Sequence, residues 1–405
     1  MSRVEIRWNK NGSLAISGRY IRHNEEYDVK KSSIYVHIPF CDIKCNYCDF
    51  YVQINHSKYD LLLDSLKKEI QYFSDRYKDK STFHTIYFGG GTPSLVEPEY
   101  IDKIITTLKS RFIFDAHVEI TLETNPDTVD EIKLRELKSI GINRLSIGVQ
   151  SFNDDDLEFL TRNHSGKQAA ECIDIAAKSG YGNINIDLIF SIPGQALETW
   201  KDNLAVALTL PIQNISAYSL ILEPGTSLYY NVKHGFSSLR SIEHDAESYE
   251  YLIDTLVRNN FVQYEVSNFA KPGFECIHNL NYWYHVNYLG FGPSAHSLWN
   301  DKRWNNFSNI TRYIEAVKSV QHGIKSEEFL NPTELYNERI YLGLRSRGID
   351  LNLFKQDFNI SLLSSEEKFV NELLKSGFVI VDNNFLKLTK KGYLLCDEIC
   401  EQLMV

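Results

Sequence analysis

Cys41-Asp42-Ile43-Lys44-Cys45-Asn46-Tyr47-Cys48 sets three cysteines at Cys-x-x-x-Cys-x-x-Cys spacing, directly after the apolar run Ile34-Tyr35-Val36-His37-Ile38. Pro39 has no N–H to give to a sheet ladder, so the strand stops there and a loop begins. That loop packs three thiols into eight residues at a strand end. A structural zinc site takes four ligands, commonly as two separated pairs. A disulfide framework takes an even number of cysteines in a small secreted chain. Three thiolates suit a four-iron cluster, one iron each, with the last iron open to a small molecule. Two other readings of the same residues stand beside this one. They are thiols buried in a core, and a zinc loop with Asp49 or His56 as fourth ligand.

The rest of the composition narrows the class. A chain of 405 residues holds one large domain and a smaller one. It is 43% hydrophobic and 24% charged, as soluble globular chains are. A net charge of −10 without a dense basic face excludes a long nucleic-acid groove. No apolar run reaches the length of a membrane span. Residues 1–33 lack the apolar centre of a signal peptide. Seven cysteines, an odd number, fit a reducing cytoplasm better than a secreted disulfide protein.

Outward from the cysteine loop, short strands alternate with longer helices. Strands are expected at 34–38, 84–88, 117–122, 144–149, 183–189 and 214–220. Helices are expected at 58–77, 97–111, 129–139, 166–179 and 197–208. Such alternation means parallel strands joined by helical crossovers, here an α/β partial (β/α)6 barrel. No Gly-x-Gly-x-x-Gly opens a helix after the first strand, which counts against a dinucleotide fold. Before the barrel, residues 1–33 read as an arm, with a hairpin turning at Asn11-Gly12. The barrel runs over 34–225 and an extension over 226–324, with a helix at 242–259 and a strand at 263–269. From about 325 to 405 the pattern reads as helices 332–346, 351–357 and 365–376, a hairpin around Phe378–Leu388 and a helix 389–402. That order is winged-helix-like.

Polar and glycine-rich runs follow five successive strands: the cysteine loop, Gly89–Ser94, Glu123–Asp127, Gln150–Phe152 and Ser191–Gln195, with Asp187 inside the fifth. In a (β/α) barrel the C-terminal strand ends line one cleft, so these runs point at a common site.

Taken in register, Tyr35–Cys41, Gly89–Ser94, Glu123–Thr128, Arg144–Phe152 and Asn185–Phe190 resemble the radical S-adenosylmethionine superfamily. Within it they resemble the oxygen-independent coproporphyrinogen III oxidases and their HemW-type haem-chaperone branch, over about 34 to 400. The resemblance implies a 4Fe-4S cluster on Cys41, Cys45 and Cys48. It implies S-adenosylmethionine contacts at Tyr35, Tyr47, Gly90, Gly91, Thr92, Glu123, Gln150, Arg162, Asp187 and His296. Glu123 and Asp187 also read as loop salt bridges, and Arg162 as a solvated helix-end charge. The oxidase pattern carries a further cysteine after the third; here Asp49-Phe50 follows Cys48. His278-Asn279-Leu280-Asn281-Tyr282-Trp283 matches the chaperone branch's HNxxYW motif, which implies haem contact at His278. Composition alone reads His278 as a structural histidine in a turn. Cys276, His37, His56 and His164 read as structural or supporting residues, and Arg345 and Arg347 as a helix end stopped by Gly348.

The resemblance thus implies a cytoplasmic haem chaperone without coproporphyrinogen oxidase activity. Its partners would be haem and haem-acceptor proteins such as membrane respiratory proteins, and a homodimer is compatible with it. The alternative is a radical enzyme that decarboxylates coproporphyrinogen III. A third reading opens or methylates a porphyrin.

Overall fold

The computed structural model describes residues 31–405, and the backbone of 5–8 and 14–17. Six parallel strands carry the barrel: β1 (Lys31–Ile38), β2 (Thr82–Gly90), β3 (Phe114–Thr124), β4 (Arg144–Gln150), β5 (Ile184–Phe190) and β6 (Asn214–Ser219). Each pairs in parallel with the next. The crossovers carry helices Tyr59–Tyr77, Pro98–Arg111, Glu131–Ser139, Gly166–Lys178 and Leu197–Thr209. The expected α/β partial barrel is therefore present.

Side-chain alternation decides what the barrel encloses. Ile34, Val36 and Ile38 of β1, Ile86 and Phe88 of β2, and Leu145, Ile147 and Val149 of β4 are fully buried in one large core with the helices. Their neighbours in sequence point the other way, because successive strand residues face opposite sides. Those neighbours are polar: Tyr35 and His37, Thr85 and Tyr87, Glu119 and Glu123, Arg144 and Ser146, Asn185 and Asp187.

The barrel does not close. Tyr288–Phe291 adds to β1 in parallel, with Leu289 opposite Ile34, and His296–Trp299, Lys302–Asn306 and Ile324–Phe329 continue antiparallel beyond it. A Cβ on Gly290 would lie 2.0 Å from the His296 carbonyl oxygen, so only glycine lets these two strands approach. Past β6, Asn268–Ala270 and Val262–Gln263 pair antiparallel. The single strand expected at 263–269 is thus two short ones. The HNxxYW stretch is a helix, Ile277–Trp283, and not a turn. Ile324–Phe329 is a strand where helix was expected to start.

The C-terminal residues build a separate core around Tyr336, Ile340, Phe354, Phe358 and Leu386. Helix Pro332–Leu344 starts at an Asn331 capping box with Glu334. Helices Leu351–Phe358 and Glu367–Lys375 follow, then the hairpin Val379–Asp382 with Phe385–Leu388. The closing helix expected at 389–402 is two pieces, Lys390–Tyr393 and Cys396–Leu403. Glu5–Trp8 pairs antiparallel with Leu14–Ser17. The Asn11-Gly12 turn lies outside the described residues.

Candidate functional site

The cysteine loop is held at both ends. After Pro39, Phe40 bridges to Gln53, whose N–H donates to the Pro39 carbonyl at 2.7 Å. Phe40 is fully buried, edge-on to Tyr59 at 4.1 Å. From the loop that follows β2, the Thr92 N–H donates to the Phe40 carbonyl at 2.7 Å and the Gly91 N–H to the Ile38 carbonyl at 2.8 Å. A Cβ on Gly91 would lie 2.6 Å from that Phe40 oxygen, which explains the glycine. On the far side Asn46 Nδ2 donates to the Phe159 carbonyl at 2.6 Å.

Cys41, Cys45 and Cys48 are half-buried free thiols, whereas Cys172, Cys276, Cys396 and Cys400 are buried. The three loop thiols are therefore set apart from the core cysteines. Among the described residues no group of three or more His, Cys, Asp or Glu is disposed to hold a single metal ion. His56, the candidate zinc ligand, instead has Nε2 3.2 Å from the Cys41 carbonyl oxygen. A cluster asks for less convergence than an ion, because each thiolate meets its own iron. Burial pushes the Cys41 thiol up to about 11, an effect the Thr92 hydroxyl at 3.4 Å only partly offsets. Iron binding at such thiols must displace protons. Arg162 brings positive charge: Nη1 is 3.6 Å from Cys45 Sγ, and Nη2 donates to Asn125 Oδ1 at 2.7 Å and the Gly148 carbonyl at 2.8 Å. It is not a solvated helix-end charge.

Below the loop the barrel encloses a cavity of about 480 Å³. Tyr47, Gly90, Gly91, Thr92, Glu123, Gln150, Arg162 and Asp187 all line it with the three cysteines. Gln150 takes a left-handed backbone, φ 66°, at the end of β4, a strained placement of the kind found at functional sites. Glu123 accepts from the Tyr87 hydroxyl at 2.9 Å and the Gly90 N–H at 3.1 Å. Asp187 accepts from Ser146 Oγ at 3.2 Å and Asn185 Nδ2 at 2.8 Å. Neither forms a salt bridge among the described residues, so the loop-bridge reading fails. Burial, then the nearby Asp187 charge, pushes the Glu123 carboxyl up to about 7. Burial raises Asp187 as well. Two desolvated carboxyls in one cavity attract a cationic ligand group.

Two expected contacts are elsewhere. Tyr35 Oη lies 3.0 Å from His37 Nδ1 and its ring stacks on Tyr87 at 6.2 Å, outside the lining. His296 is exposed at the start of an extension strand that pairs with Tyr288–Phe291 and not with a barrel strand, outside the lining. Sequence reading missed Arg144, Asn125, Ser146 and Asn185 as cavity residues. The signal was there: they are the polar alternates of β4 and β5 and a residue following β3.

His278 is 1% exposed, with its ring on Tyr87 at 4.9 Å. Nδ1 lies 2.7 Å from Thr85 Oγ1 and Nε2 2.9 Å from Tyr282 Oη. Its N–H donates to Glu119 Oε1 at 3.1 Å. Burial, with the His84 and Arg144 charges, brings it down to about 3, so it stays neutral. Axial ligation of an iron by His278 therefore requires one of these bonds to break. Cys276 is buried beside Glu119, and burial pushes its thiol up to about 12. Arg345 ends its helix paired with Asp397, and Arg347 stacks over Tyr284 at 4.3 Å.

A radical SAM superfamily model matches residues 35–207, and a HemN C-terminal domain model matches 330–395. Curated relatives extend over nearly the whole chain. "Heme chaperone HemW" of Lactococcus lactis is 32% identical over 378 residues, 93% of this chain and 98% of the relative. The protein of that name from Bacillus subtilis is 34% identical over 370 residues, 91% and 97%. Radical S-adenosyl methionine domain-containing protein 1, mitochondrial, of Danio rerio is 32% identical, covering 93% and 87%. Among solved structures, coproporphyrinogen III oxidase (HemN) of Escherichia coli superposes with a TM-score of 0.81 at 24% identity, covering 94% and 92%. That likeness is one of fold.

Proposed function

Because the chain belongs to the HemW family of radical SAM proteins, we propose that it binds haem and hands it to haem-requiring proteins. The carrying observation is agreement along more than nine-tenths of both chains with relatives named as heme chaperones. Phe50, standing where the oxidase pattern has its further cysteine, supports it. The oxidase alternative has fold likeness behind it and is not favoured.

The residues fit the family's cofactors. Cys41, Cys45 and Cys48 would hold a 4Fe-4S cluster, and the paired carboxyls of Glu123 and Asp187 would receive the cationic groups of S-adenosylmethionine. Such a cluster supplies, when bound, a one-electron reductant and an open iron position. Tyr47 lines the cavity beside the cysteines, Arg162 sets a fixed positive charge beside Cys45, and Thr92 ties the Cys41 thiol to the loop that follows β2. Of the contacts that the resemblance implied, those lining the cavity carry the proposal; Tyr35 acts on it through Tyr87, against which its ring lies, and His296 stands outside the lining. His278 meets haem once Tyr282 gives up its Nε2.

No described helix is long and apolar enough to cross a membrane. The cytoplasm is the proposed compartment, membrane respiratory proteins are the proposed acceptors and a homodimer the proposed assembly. The division into an arm (1–33), barrel (34–225), extension (226–324) and C-terminal domain (325–405) goes with this reading.

The test is anaerobic. The reconstituted protein is given haem, and separately S-adenosylmethionine with coproporphyrinogen III. Haem uptake and transfer to an apo-cytochrome without protoporphyrinogen formation is expected. Robust protoporphyrinogen and 5′-deoxyadenosine production would overturn the reading.

A further inference from the structure

Past β6 the chain runs through the cavity-lining Leu220, Ile221 and Glu223 into the short helix Ser227–Lys233. The Leu228 N–H donates to the Asn46 carbonyl, inside the cysteine loop, at 2.9 Å. Leu228 is buried in a small core against which Tyr47 and Val232 pack. The helix is therefore fixed to the loop that carries the three thiols.

Its far end is a Schellman turn. The Gly235 N–H donates to the Val232 carbonyl at 3.1 Å and the Phe236 N–H to the Asn231 carbonyl at 2.8 Å, with Gly235 at φ 79°. An apolar residue at the last position of that turn commonly folds back onto the helix. Phe236 is instead 73% exposed, and Tyr230 is 57% exposed. Both rings lie against His234, with centroids 3.9 Å away for Tyr230 and 6.5 Å for Phe236.

His234 is disposed as a metal ligand. Its Nδ1 lies 2.8 Å from the Tyr230 carbonyl oxygen. A carbonyl only accepts, so Nδ1 carries the proton and the neutral ring keeps its lone pair on Nε2. Among the described residues no hydrogen bond or ion pair reaches Nε2, and the residue is exposed. A backbone carbonyl on one ring nitrogen, with the other free, is the usual setting of a metal-binding histidine. His278 is the opposite case, 1% exposed with both nitrogens bonded. A bare metal ion would use the nitrogen and leave the two rings in water; an iron porphyrin uses both. Its acidic side chains stay in solvent at such an open site, where the exposed Lys233 stands beside His234.

Resting on the haem-binding reading above, we propose that haem is first received on this helix end, with His234 Nε2 on the iron and the Tyr230 and Phe236 rings against the porphyrin. The site stands about 9 Å along the helix from the Leu228 bond to the cysteine loop, so it places haem beside the cluster. It also leaves the haem open to an acceptor protein, which burial at His278 does not.

The test is titration of the cluster-loaded full chain with up to one equivalent of ferric haem, read as the shift of the Soret band. Four proteins are compared: wild type, His234→Gln, His234→Cys and Phe236→Ser. Both positions are exposed, and iron content with circular dichroism reports folding and cluster loading. Wild type should shift the band, His234→Gln should lose the shift, and Phe236→Ser should need more haem to reach it. His234→Cys should shift the band to a different wavelength, because a thiolate replaces the imidazole on the iron. If His234→Gln titrates like wild type, or His234→Cys leaves the band where wild type puts it, the site is overturned while haem binding stands. If wild type takes no haem, both readings fall.

Discussion

The Tyr282 hydroxyl lies 2.9 Å from His278 Nε2, and Thr85 Oγ1 lies 2.7 Å from Nδ1, so a nearly inaccessible imidazole has both nitrogens satisfied. Removing one partner strands a buried polar atom, which costs about 1–3 kcal/mol. Tyr282→Phe should therefore lower the melting temperature in thermal denaturation, whereas Thr85→Val with Tyr282 intact tests the other side of the ring. Unchanged melting in both variants would show that these bonds carry no stability.

Arg162 places its guanidinium 3.6 Å from Cys45 Sγ. A positive charge there favours the reduced, more negative form of a bound cluster. Arg162→Met should make the midpoint potential more negative in an anaerobic redox titration followed by electron paramagnetic resonance. Cluster content should survive, since the thiols remain.

Glu123 titrates at about 7 because burial and Asp187 oppose its charge. A cationic ligand favours the ionised carboxylate, so S-adenosylmethionine binding should tighten as pH rises through about 7, with a proton released. Calorimetry in buffers of different ionisation enthalpy measures that proton. Glu123→Gln should bind more weakly and with a flatter pH profile.

Glu69 joins three distant segments: it accepts from the N–H groups of Gly292 and Gly323, from Asn306 Nδ2 (each at 2.9 Å) and from Tyr313 Oη at 2.6 Å. Glu69→Ala should cost about 3 kcal/mol or more, with loss of soluble protein. Burial raises Glu69, like Glu123 and Glu265, to about 7 from 4.5. Each holds its proton more tightly when folded. Their contribution is thus present below about pH 4.5 and is lost as pH rises through about 7. Thermal melts of the cluster-free protein should fall across that window, and Glu69→Gln should fall less.

Local chemistry made the cysteine loop legible. Three thiols after a proline-terminated strand, and polar runs after each later strand, need no long-range information to be read. The same holds for the alternation of strands and helices, since periods of two and 3.6 are properties of the local backbone. The break of 389–402 at Leu394-Leu395 and the strand at Ile324–Phe329 were not legible, because tertiary pairing outweighs the weak local preference there.

The sequence by itself determined the family and the barrel and singled out the cysteine loop, because each rests on residues adjacent in the chain or on a repeating period. Only the tertiary structure decided which implied contacts share a cavity. Tyr35 and Tyr87 stand opposite each other in parallel strands, yet Tyr87 lines the cavity while Tyr35 turns to His37. Likewise His278 and His285 lie seven positions apart on one short stretch. The packing of β2 seals the first, and the helix Pro332–Leu344 gives the second a cavity to face. Such differences come from which distant side chains fill the space around a residue, and no local pattern carries that information.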